Sequence, residues 1–259
     1  MIEAGTEVLR VEHLEEGRVL RFVLDAGKGN VISARVIARL RETIAEARRT
    51  EGLRALIIDH AGKHFSFGAS VEEHTPDQVG EMLPALHTMA RELRGMNLPI
   101  LIAARGMVLG GGLELLLLGD MVFAAPDAKF GQPEIQLGVF APLGSSLLPS
   151  MVGEQAAADL LLSGRTIGAA EAHQLGLVRF VADDPGAAAL DYAREHLANK
   201  SASSMHYAVR ALRAKFGPRF NMVLTELEDL YLQDLMDTHD AVEGIQAFLE
   251  KRAPKWEDR

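Results

Sequence analysis

Two glutamates and two glycine-rich turns are the residues of this 259-residue chain whose types and spacing could do chemistry. The first turn is Phe65-Ser66-Phe67-Gly68-Ala69-Ser70; the second, Leu109-Gly110-Gly111-Gly112-Leu113-Glu114, stands at the mouth of a short helix. Glycine lets a backbone come close to a ligand, and a helix N-terminus presents unpaired N–H groups at the positive end of its dipole. Facing each other, two such turns would offer backbone donors to an oxyanion. Glu114 and Glu134 flank the strand ending at Ala125, so both can reach one pocket as an acid–base pair. On spacing alone each has a plainer reading. Glu114 can be a first-turn glutamate favoured by the dipole, and Glu134 an exposed loop acid.

Other chemistries fail on the residues present. A dinucleotide loop starting at Gly110 would need glycine where Leu115 stands. A nucleophile elbow around Ser70 would need glycine in place of Glu72. His60 and His64 straddle Gly62 after a strand, so they read as exposed loop histidines rather than a helical metal pair. With no cysteine, thiolate metal sites, iron–sulfur clusters, disulfides and cysteine nucleophiles are excluded. No metal site is expected.

The elements that must position these groups follow from periodicity. Val8 to Leu14 and Arg18 to Leu24 alternate apolar and polar residues around Glu16-Gly17, which predicts a hairpin. Val36, Ile37, Leu40, Ile44 and Ala47 form a helical stripe, and Ala55 to Asp59 a short strand. Thr75-Pro76-Asp77-Gln78 reads as a helix start, with Thr75 as cap, ahead of the apolar stripe Val79, Met82, Leu83, Leu86, Met89, Ala90 and Leu93. The strand Pro99 to Ala104, a short helix near Gly111 to Leu118 and the strand Met121 to Ala125 follow. Strand, glycine-rich turn and helix in succession predict an α/β body with its chemistry on the loops, although no internal sequence repeat is visible. Residues 186–252 read instead as three or four helices broken at Ser201, Gly217-Pro218 and His239, the last with Asp240 and Glu243 in capping-box spacing. The boundary is drawn between 196 and 197. A formal charge of −9, one tryptophan and three tyrosines disfavour nucleic-acid binding. No secretory leader or membrane-length apolar run is evident, so a cytoplasmic enzyme is expected.

In order and spacing, Phe65 to Ser70, Leu109 to Glu114 and Phe130-Gly131-Gln132-Pro133-Glu134-Ile135 resemble the signature stretches of the crotonase (enoyl-CoA hydratase/isomerase) superfamily. Asn30-Val31-Ile32-Ser33, Ser163-Gly164-Arg165 and Ala170 to Val178 are similar to its lesser motifs, so the resemblance spans nearly the whole chain. It implies a spiral of ββα turns (residues 1–196) and a C-terminal helical oligomerisation region (197–259), giving a homotrimer or dimer of trimers. It also implies an acyl-CoA thioester substrate with no further cofactor, and an oxyanion hole from the backbone N–H groups of Ala69 and Gly111. Glu114 and Glu134 match both acids of the family's hydratases, Glu114 activating water and Glu134 supplying the proton. Phe67, Gly68, Gly110, Phe140 and Pro142 become substrate-contacting candidates, and Lys28 and Lys63 candidates for the CoA phosphates. Two residues depart from the pattern: Ser70 replaces an aspartate, and Ala141-Pro142-Leu143-Gly144-Ser145 replaces a Pro-Gly-x-Gly-Gly turn, a change expected to reshape the acyl pocket.

Phe65 to His74, Gly138 to Pro142 and the tail around His239 to Gly244 and Phe248 to Arg252 resemble a narrower subgroup. Its members hydrate the cyclic thioester cyclohexa-1,5-diene-1-carbonyl-CoA in anaerobic benzoyl-CoA breakdown. The alternatives are a linear enoyl-CoA hydratase or isomerase and, from a different class, an RNA-binding protein of the same fold.

Overall fold

The computed structural model describes residues 7–214 and 216–259. The predicted hairpin forms from β1 (Leu9–Leu14) and β2 (Val19–Leu24), paired antiparallel, followed by α1 (Ala34–Ala47) and β3 (Ala55–His60). Next come α2 (Val79–Arg94), β4 (Ile100–Ala104), β5 (Met107–Leu109), α3 (Gly111–Leu117), β6 (Met121–Ala124) and β7 (Lys129–Gly131). The chain continues through α4 (Pro142–Val152), α5 (Glu154–Ser163), β8 (Thr166–Gly168), α6 (Ala169–Gln174) and β9 (Phe180–Val181). It closes with α7 (Pro185–Tyr192), α8 (Ala202–Arg213), α9 (Gly217–Asp229) and α10 (His239–Leu249).

A six-stranded sheet runs β1-β2-β3-β4-β6-β9, parallel beyond the first pair, and a three-stranded sheet runs β5-β7-β8. Lone bridges extend the small sheet, Ile32 to Ala69 and Ser66 to Val108. An architectural repeat that the sequence conceals follows from this. Each turn gives one strand to the large sheet, rounds a corner, adds a strand or bridge to the small sheet, and returns by a helix. β3 with residues 66–69, β4 with β5, and β6 with β7 are successive turns. The repeat lies in backbone pairing, which different side chains satisfy equally well.

The stripes foreseen for α1 and α2 are buried, each fully buried Leu or Met contributing about 1.5–3 kcal/mol relative to exposure. α2 starts later than expected. Thr75 does not cap it; the Thr75 carbonyl accepts from the N–H groups of Gln78 and Val79, its hydroxyl donates to the Glu72 carbonyl, and the helix opens at Val79. α10 is likewise capped by Thr238, whose hydroxyl accepts from Ala241 N–H, rather than by the pair Asp240 and Glu243. Those acids tie down the tail instead: Asp240 accepts from the amides of Glu257 and Asp258, and Glu243 from Arg252 and the amide of Lys255.

α7 and the π-type turn Ala193–Leu197 cover the second face of the large sheet, with Leu197 and Ala198 still packed beside Val19, Ala55 and Ile57. Arg213, on α8, binds Asp120 and the carbonyls of Arg94, Met96 and Leu98, anchoring the later helices to the body.

Candidate active site

The spiral brings the two glycine-rich turns side by side. Ser66 N–H donates to Met107 O at 3.1 Å and Leu109 N–H to Ser66 O at 3.0 Å, pairing the corners in parallel. Gly68 (φ +115°) and Gly110 (φ +49°) adopt backbone conformations that L side chains rarely enter. A Cβ on Gly68 would sit 3.1 Å from Leu109 O, and one on Gly110 would meet a Glu134 carboxylate oxygen at 2.8 Å. On Gly111 it would lie 2.9 Å from the Ala69 nitrogen. The two backbones therefore touch, and among the described residues neither the Ala69 nor the Gly111 N–H has a protein acceptor. Both residues line one cavity of about 270 Å³.

Glu114 lies in the first turn of α3 and is 4% exposed. Its carboxylate accepts from Gly144 N–H at 2.9 Å and from the Leu143 amide. These amides belong to the first turn of α4, so Ala141 to Ser145 is a helix start with Pro142 at its first position. The expectation of a reshaped pocket-lining turn is thereby refined: this segment lines the cavity through Phe140, Ala141 and Pro142, while its amides hold Glu114. Glu134 sits on the 3-10 turn Pro133–Leu137, and its Oε2 is enclosed with no partner among the described residues. It is not an exposed loop acid.

Burial raises the pKa of both carboxyls well above the usual range. For Glu114 the Gly144 and Leu143 amides oppose the rise; for Glu134 the neighbouring Glu114 charge adds to it. Burial and like charge both favour the protonated form, and the amides on Glu114 set the two carboxyls in unequal surroundings. Two carboxyls in unequal surroundings face the same apolar chamber, an arrangement that can give a proton from one group and take one with the other.

Phe67, Gly68, Ala69, Gly110, Gly111, Glu114, Glu134, Phe140 and Pro142 all line this cavity. Lys28 and Lys63 do not; both are exposed outside its wall, Lys28 beside Gly29, whose backbone rests on the Phe67 ring at the cavity rim. His60 and His64 are not exposed loop residues. His60 is 7% exposed and accepts from Arg105 N–H, and His64 accepts from Met107 N–H, so both brace the corner leading into β5. Among the described residues no group of three or more His, Cys, Asp or Glu could hold a metal.

Among the polar side chains lining the cavity, sequence reasoning missed two, His74 and Tyr231. His74 follows the first turn closely and pairs its Nδ1 with Ser70 O at 2.7 Å; burial lowers its pKa and keeps it neutral. Its nearness to Ser70 was a usable signal. Tyr231 arrives from the segment after α9, where spacing offers none. Leu224 and Tyr231, in the region expected to mediate oligomerisation, are buried within the chain.

The enoyl-CoA hydratase/isomerase family model matches residues 16–259. A cyclohexa-1,5-dienecarbonyl-CoA hydratase of Thauera aromatica is 52% identical over 259 residues, covering 100% of both chains. A carnitinyl-CoA dehydratase of Proteus mirabilis is 32% identical, covering 94% of this chain and 96% of its own. The crystal structure of an enoyl-CoA hydratase/isomerase from Pseudoalteromonas atlantica superposes with a TM-score of 0.85 at 27% identity, covering 96% of this chain and 100% of that one. Family model, full-length identity and the strand-by-strand spiral agree, and the chain belongs to the enoyl-CoA hydratase/isomerase family of the crotonase superfamily.

Proposed function

We propose that this protein is a hydro-lyase that adds water to cyclohexa-1,5-diene-1-carbonyl-CoA, giving 6-hydroxycyclohex-1-ene-1-carbonyl-CoA in anaerobic benzoyl-CoA breakdown. One observation carries the reaction type: two enclosed carboxyls in unequal surroundings share an apolar cavity with two unpartnered backbone amides. The 52% identity with the Thauera aromatica hydratase supports the substrate.

The Ala69 and Gly111 amides hold the thioester oxygen, drawing electron density from the conjugated diene. Losing one such donor costs about 2.7–4 kcal/mol of barrier. Glu114, whose ionised form the Gly144 and Leu143 amides favour against burial, takes a proton from water as the water oxygen bonds to ring carbon. Charge passes to the thioester oxygen and is shared through the second double bond, and Glu134 delivers its proton to the far end of that bond. The adduct gains one OH and one H, and the pair resets when the proton on Glu114 returns to Glu134. The CoA moiety belongs to the substrate, and these steps need no further cofactor. Lys28 and Lys63 are the cations offered to its phosphates, with Phe67 at the rim between them and the chamber.

Phe140 and Pro142 stiffen the wall beside Glu134, and a flat six-membered ring fits a short, broad chamber better than a linear tail does. The test is a panel of linear enoyl-CoA and cyclic dienoyl-CoA thioesters followed by the mass shift of added water. The cyclic dienoyl thioester should be hydrated with kcat/KM at least about tenfold above crotonyl-CoA, a preference that apolar shape can deliver. Equal or faster turnover of crotonyl-CoA would make the protein a general enoyl-CoA hydratase.

A further inference from the structure

Tyr231 lies in the π-type turn Leu230–Asp234 that follows α9, 97 positions after Glu134 and 117 after Glu114, and is 1% exposed. Its ring is gripped by Val79 and Leu83 of α2, by Ile245 of α10 and by Phe140, whose ring it meets edge-on at 5.4 Å. The hydroxyl has no hydrogen-bond partner among the described residues, and the residue lines the cavity of the two acids. A phenylalanine would fill the same apolar grip without burying an unpaired O–H, which proteins seldom tolerate without a reason. Burial, with the Glu134 and Glu114 charges adding to it, raises the phenol's pKa, so it stays a neutral O–H donor. The other polar wall groups already have work: His74 is paired with Ser70, and the two amides face the thioester oxygen.

We propose that the Tyr231 hydroxyl holds the oxygen that is added, donating a hydrogen bond to the attacking water and then to the hydroxyl of the product. A water that gives one proton to Glu114 and points one lone pair at carbon has a second lone pair free, and Tyr231 fixes the attack direction by engaging it. This assignment rests on the hydratase reading above.

The experiment compares the parent with Tyr231→Phe, which keeps the ring and removes the oxygen. Binding of two product-like thioesters is measured by calorimetry: 6-hydroxycyclohex-1-ene-1-carbonyl-CoA and its counterpart lacking the hydroxyl. The variant should bind the hydroxylated thioester about tenfold more weakly and the other equally well. Its kcat for hydration should fall about 10–100-fold with KM within about threefold, since orientation is lost and packing is kept. Its Tm should equal or exceed the parent's, because an unpaired buried group has gone. An unchanged ratio of the two affinities overturns the assignment, whatever the rate. A lowered Tm with parallel losses against both thioesters makes the hydroxyl a fold contact and overturns it as well. Failure of the parent to hydrate the cyclic dienoyl thioester would instead overturn the hydratase reading, so the two failures are distinct.

Discussion

Glu114→Gln and Glu134→Gln should each lower hydration about 10²-fold or more, the scale of general acid–base help, while circular dichroism stays native. Near-parent turnover by either variant would remove that residue from the mechanism. The same Glu134 substitution should also stabilise the protein in a pH-dependent way. Its folded pKa is raised above the ordinary 4.5, so the native state binds more protons than the unfolded chain between those values. Stability contributed by the protonated carboxyl is therefore full at acid pH and is lost as pH rises through the window. Glu134→Gln has nothing to lose there. Its Tm should match the parent's near pH 4 and exceed it by roughly 2–6 °C on the alkaline side, a gap scanning calorimetry would measure. The glutamates were visible in the sequence because each adjoins a glycine turn or a Gln-Pro step. Their unequal electrostatics were not, since these depend on the α4 amides and on enclosure that only folding creates.

At the scale of elements, the parallel bridge of Ser66 to β5, with Ala69 bridged to Ile32 behind it, sets the distance between the Ala69 and Gly111 amides. Gly110→Ala tests that geometry. The new methyl would enter a positive-φ conformation and run into the Glu134 carboxylate, so hydration should fall at least about tenfold through displacement of the acid. Retained activity would mean that the turn has slack. Secondary structure was legible wherever apolar period decided it, as in α2 and the N-terminal hairpin. It was misread where chain path decided, as at Thr75, whose carbonyl rather than hydroxyl serves the helix start, and at Asp240, drawn off to the tail amides. The helical start at Pro142 was also hidden, because the family comparison presented that stretch as a turn.

For the whole molecule, the face carried by α8 and α9 leaves Tyr207, Leu212 and Met222 each more than half exposed. This is apolar area that a lone subunit seldom leaves uncovered. We propose that residues 197–259 assemble the protein into at least a trimer through this face, rather than through Leu224 and Tyr231, which the chain covers itself. Light scattering at micromolar concentration should give three subunits or more, and charged substitutions at Leu212 and Met222 should shift it toward monomer. A stable parent monomer would dismiss the assembly.

The 3-10 turn carrying Glu134 is clasped from outside by α10 and the tail: Gly244 lies against Leu137 O, and Trp256 packs over Gly138 and Gly244. Asp240, in turn, binds the amides of Glu257 and Asp258. On the ribosome these clasping residues emerge over a hundred positions after Glu134, a delay of seconds at ordinary synthesis rates. The sheets and α5, whose end binds Gln136 through the Gly164 carbonyl, can form early, yet the outer clasp on this turn is incomplete until Trp256 has left the exit tunnel. Translation itself therefore sets the moment at which the turn carrying Glu134 gains its outer clasp.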